Sequence, residues 1–227
     1  MTPDTRQLRH NGRIAGVLYL VVVLSGMFCL AYVPAQVGTT LTEASTHAGL
    51  FRAGIAAFLL MQVAFLLLPL ALYRLLGDVD RPLAALMVAF AAVSVPIGLV
   101  ALTHRMEALS LLQTATEANA AAYAQCMARY GFGLRIASLF WGLWLLPLGW
   151  LVLRSRRLPR LLGVLLLLGG LGYIVHVFGG LLPGYADSAL SRYVRLPAAL
   201  GEIGTCLWLL GFGAGTGRID ARQLANA

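Results

Sequence analysis

The chain has 227 residues, 59% of them hydrophobic and only 11% charged, whereas a soluble domain carries about 45–50% apolar and roughly 25% charged residues. These proportions exclude a soluble enzyme, a disordered tail and a disulfide-stapled secreted module. They leave an integral membrane protein, read as one membrane domain over residues 1–227. The formal charge of +8 comes from 17 arginines and no lysine. In a multi-span chain this excess reports orientation and not nucleic acid, because Arg is retained in short cytoplasmic loops.

At ~20 apolar residues per span, six segments qualify: 12–33, 52–76, 82–103, 131–153, 158–182 and 196–215. The first is opened by Arg6, Arg9 and Arg13, and its apolar run is longer than a secretory signal allows. It therefore reads as an uncleaved anchor. The loop at 34–50 is polar, with Thr39, Thr40, Glu43 and His47. Residues 106–130 are rich in Ala, Leu, Gln and Glu without glycine, which predicts a helix lying on the outer surface between spans three and four. The turns on the other side are short and basic.

Arginine placement supplies an orientation. With the N-terminus inside, the cytoplasmic segments hold Arg6, Arg9, Arg13, Arg74, Arg81, Arg154, Arg156, Arg157, Arg160, Arg218 and Arg222, and only Arg52, Arg105, Arg129, Arg192 and Arg195 fall outside or at the outer boundary. Both termini are thus expected in the cytoplasm. The absence of Lys beside abundant Ala, Leu and Gly points to a bacterium with a GC-rich genome, and hence to its inner membrane.

Within the spans, Pro69, Pro96 and Pro147 free backbone carbonyls. Gly163, Gly169, Gly170 and Gly172 in span five, with Gly201 and Gly204 in span six, let backbones approach closely. Leu67–Leu70 followed by Arg74 echoes Leu145–Leu148 followed by Arg154, a parallel-repeat pattern known from transporters.

Ionisable side chains at membrane depth carry the chemistry, since each is costly there unless paired or wetted. Glu202 lies six residues beyond Leu196, ~9 Å into span six. Arg135 lies ~6 Å into span four from the same outer side. Arg52 opens span two, His104 closes span three with Arg105, and His176 lies near the outer end of span five. Two readings follow. Glu202 forms a register-fixing ion pair with Arg135 or Arg52, or it joins Arg52, Arg135, His104 and His176 in a polar outward-facing pocket for a small amphipathic molecule or lipid.

His47, His104 and His176 with Glu43, Glu107 and Glu202 are chemically suitable zinc ligands, but they show no HExxH spacing and come from separate segments. No metal or cofactor is therefore assigned. Cys29, Cys126 and Cys206 are odd in number and lack CxxC spacing. There is no GxSxG elbow and no phosphate loop.

The ordered set Gly12–Tyr19, Leu50–Ile55, Leu72–Leu76, Tyr130–Gly133, Leu158–Leu165 and Pro197–Glu202 with Leu207–Leu209 resembles the bacterial membrane family called domain of unknown function 4386, over roughly residues 10–215. The resemblance implies a bacterial multi-pass membrane protein and brings no activity or functional residues with it. Arg52 and Glu202 fall inside the matching segments.

The expected architecture is an all-α bundle of six transmembrane helices. The expected role is a non-enzymatic module that binds or moves a small amphipathic molecule or lipid. A membrane-embedded metal-dependent hydrolase using Glu202, His104 and His176 is one alternative. A structural or regulatory subunit, as a homo-oligomer or with a membrane partner protein, is the other.

Overall fold

A computed structural model describes residues 5–114 and 116–214. Arg218 and Arg222, counted in the orientation argument, lie outside the described residues. Those residues form helices α1 (Thr5–Met27), α2 (Val33–Val37), α3 (Leu41–Thr46), α4 (Ala48–Leu76), α5 (Arg81–Leu111), α6 (Glu117–Ser155), α7 (Arg160–Gly179), α8 (Ala189–Tyr193) and α9 (Leu196–Phe212), and no strand among them. The protein is an all-helical, multi-pass membrane protein. Five runs are long and apolar enough to cross a bilayer: Arg6–Val37, Ala48–Leu76, Arg81–Thr114, Glu117–Ser155 and Arg160–Gly179. Helix α9, expected as a sixth span, has 17 residues, or about 26 Å at 1.5 Å per residue, somewhat less than the ~30 Å hydrocarbon core.

Helix boundaries follow local chemistry. Pro34 lies just beyond a π-helical turn at Phe28–Tyr32 that joins α1 to α2. Its ring cannot sit against the carbonyl four residues earlier, and the wider turn accommodates it. Gly38 then ends α2 at φ 76°, a backbone region that disfavours a side chain. Thr40 and Glu43 form a capping box that starts α3. The backbone N–H groups of Thr40 and Thr39 on its carboxylate hold Glu43 below the usual range. Asp80 caps α5 by accepting from Leu83 N at 3.1 Å, with Pro82 in the first turn.

The expected outer surface helix over 106–130 is corrected. Residues 106–114 and 117–130 are helical but form no separate element, because α5 continues to Leu111 and α6 begins at Glu117. The 39-residue α6 is about 58 Å long, so the two helices run past the bilayer as a paired hairpin. Tyr123 and Leu112 are buried there in a core cluster shared with Val37, Leu41 and Ala44, where a surface helix would have turned them toward lipid headgroups.

The long helices close into a ring in the order α1, α4, α5, α6, α7, α9, with α9 returning to α1. Glycines set two of the seams. In the α6/α7 seam Gly142 faces Gly170 and Gly149 faces Gly163, each so close that a Cβ on one would lie 2.8–2.9 Å from the carbonyl of the other. In the α1/α9 seam a Cβ on Gly16 would lie 2.8 Å from Leu210 N, and the Cys206 thiol points at the Gly16 carbonyl. Trp144 of α6 fills the middle of the ring. It is fully buried, edge-on to Phe65 of α4 at 5.0 Å and tilted against Tyr19 of α1 at 6.2 Å.

Candidate functional site

Beside Trp144 lies a cavity of about 250 Å³. Its polar lining is Tyr19 from α1, Tyr173 from α7 and Glu202 from α9. Its sides are Phe65 of α4 with Trp141 and Trp144 of α6, and its upper wall is aliphatic, with Val23, Leu30 and Met61. Helix α9 leans on α1 through its second half, at the glycine seam, and on α7 through its first half, where Ala198 packs on Gly169. The two contacts leave α1 and α9 apart above Glu202. There Met27, Ala199 and Ile203 line the cavity and are also exposed on the lipid-facing side, so the opening is lateral.

Tyr19 is wholly buried, and its hydroxyl donates to Glu202 Oε1 at 3.3 Å. The packing across the α1/α9 seam makes this pair. Gly12 against Gly213, Gly16 against Leu209 and Tyr19 against Glu202 are successive antiparallel matches of the same two helices. The indole N–H of Trp144 is buried without a hydrogen-bond partner. The cavity thus carries a carboxyl with a single side-chain donor, Tyr19.

The other expected site residues lie elsewhere. The ion pair of Glu202 with Arg135 or Arg52 is corrected, since among the described residues Glu202 forms no ion pair. Arg135 is exposed and donates to the Gly180 carbonyl at 3.4 Å, across the α6/α7 seam. Arg52 is exposed at the start of α4. His104 pairs with Glu107 one turn along α5 at 3.2 Å, and it lines a shallow α5/α6 groove together with Arg129. His176 Nδ1 is 3.5 Å from the Tyr185 hydroxyl. Equal depth placed these five residues in one layer, but their azimuths around the ring differ, and only Glu202 turns into the cavity. Among the described residues no group of three His, Cys, Asp or Glu side chains could hold a metal ion.

Sequence reading missed Arg105. Expected at the outer boundary, it is instead 2% exposed. Its guanidinium lies over the Phe51 ring at 4.9 Å and the Tyr130 ring at 5.3 Å, and its Nη1 donates to the Cys29 carbonyl at 3.4 Å and the Tyr130 hydroxyl at 3.3 Å. The cation thereby ties α5 to the π turn after α1 and to α4 and α6. The signal that could have found it is the pair of aromatics, Phe51 and Tyr130, at the same predicted boundary.

No curated protein and no solved structure gave a match to this chain. A family model did match, over residues 14–213, which include every wall of the cavity and most of the α1/α9 seam. The chain belongs to the family described as Domain of unknown function (DUF4386).

Proposed function

We propose that the protein binds, or moves within the bilayer, a small amphipathic molecule or lipid whose polar group meets Glu202 and whose apolar part fills the rest of the cavity. The carrying observation is Glu202 itself, a carboxyl held by one phenol in a laterally open, mostly apolar cavity. Such mixtures of apolar wall and a few convergent polar groups are what small-molecule sites are made of. The lateral opening suits a ligand that partitions into the membrane first. In this reading the membrane is a bacterial inner membrane with both termini cytoplasmic, the orientation that the arginine distribution favours. In that orientation the cavity, above Tyr19 on an outward-running α1, occupies the outer half.

The test is native mass spectrometry of wild type and Glu202→Gln purified in a mild detergent, with thermal unfolding to confirm that both are folded. A lipid or metabolite adduct present in wild type and lost from the folded variant supports binding. Identical ligand-free spectra overturn it and reduce Glu202 to a helix-packing residue.

A further inference from the structure

We infer that the ligand class selected by this cavity is a compact lipophilic monocation, an organic ammonium with an apolar body; the inference rests on the binding reading above. Its first ground is the charge of the wall. Among the described residues no Arg or His lines the cavity, and Glu202 is its one acid. The buried cation nearest to this cluster in kind, Arg105, is committed to the Cys29 carbonyl and to two aromatic rings in the neighbouring core cluster. A carboxylate in an apolar void is costly without a positive partner, and among the described residues the protein supplies none.

The second ground is aromatic. Tyr19, Phe65, Trp141, Trp144 and Tyr173 all border the void, and Trp and Tyr faces attract desolvated cations. Trp144 is locked in orientation by Phe65 at 88°, so its ring does not need to be ordered on binding. An anion would meet Glu202 with no compensating cation. A neutral amphiphile would use the apolar wall but could not supply the positive charge that stabilises Glu202 as a carboxylate. The third ground is size. A cavity of about 250 Å³ is at the small end of ligand sites, enough for one ring and a substituted nitrogen. The exposed Met27, Ala199 and Ile203 at the rim give it an apolar entrance from the bilayer.

The experiment compares phenyltrimethylammonium with its uncharged isostere tert-butylbenzene, two probes of the same shape that differ in charge. Each is titrated into the full-length protein in a neutral detergent, and tryptophan emission and calorimetry report binding. Wild type is expected to bind the cation at least tenfold more tightly than the isostere. Glu202→Gln should erase that preference, and Ala199→Phe, which narrows the rim, should weaken both probes. The wild-type comparison needs no variant, so a misfolded Glu202→Gln would not remove the test. Equal binding of the two probes would overturn the cation inference while leaving the binding reading standing. Binding of neither probe, with no adduct in the native spectra, would overturn both.

Discussion

Tyr19 and Glu202, 183 positions apart, meet across 3.3 Å where the first and last long helices close the ring. Their contact marks the end of the tight α1/α9 seam and the beginning of the cavity. Removing either group should therefore disturb the seam and the void together. Tyr19→Phe leaves a half-buried carboxyl without its donor, a loss of about 1–3 kcal/mol. In the double variant with Glu202→Gln the two effects should be non-additive, with a coupling of about 0.5–3 kcal/mol. Denaturation of the four proteins in one detergent measures it, and simple additivity would show that the contact carries no energy.

The α6/α7 seam makes a cleaner steric test. Gly142→Ala brings a methyl carbon to 2.8 Å from the Gly170 carbonyl, and such overpacking costs about 1–3 kcal/mol. Gly131, on the same helix, has nothing within 4 Å of an added Cβ. Gly131→Ala should then leave stability unchanged or raise it by about 0.5–1 kcal/mol through helix propensity. Thermal unfolding of the two variants, measured side by side, should separate them in sign.

Arg105 should behave as a clasp for the bundle. Its removal in Arg105→Met preserves bulk but leaves the Cys29 carbonyl without this donor and takes the cation from two rings. A loss of about 1–3 kcal/mol is expected. Protease sensitivity should rise first at the loop between α2 and α3, which the clasp anchors through the π turn. Unchanged melting and cleavage would mean that the aromatic packing alone holds this end.

The basic turn offers a pH-dependent test. Arg157 binds both carboxylate oxygens of Asp78 and the Leu75 carbonyl, joining the α4–α5 and α6–α7 turns. Hydrogen bonding from the Arg157 guanidinium holds Asp78 below the usual carboxylate range. A carboxyl so depressed takes up its proton less readily when folded than when unfolded. The pair's contribution is complete above the unfolded value of about 3.9 and disappears as pH falls through the lower folded value. Asp78 is half exposed, so the contribution is about 0.2–1 kcal/mol. Asp78→Asn should melt below wild type near neutral pH and coincide with it in strong acid.

His104 and Arg105 show where sequence legibility ends. Both were readable as residues closing one span, yet neighbouring positions on a helix point about 100° apart. His104 consequently faces outward to Glu107, and Arg105 faces inward to Tyr130. Likewise, residues 106–130 read correctly as helical. Their partition between α5 and α6 depended on Tyr123 and Leu112 finding a partner helix, which no local pattern records.

Composition alone determined that this is a membrane protein, because 59% apolar residues with 11% charge cannot be solvated by water. Hydropathy and arginine spacing set where the helices run, since span length is fixed by bilayer thickness. The glycines on α7 and α9 already announced close approach, and Glu202 announced itself by its cost at depth. Only the tertiary structure decided which helix lies beside which, and therefore that Glu202 meets a phenol and not an arginine. Depth is a one-dimensional quantity that sequence carries. Azimuth around a ring of helices is set by how six surfaces interlock, and that follows from packing distant in sequence.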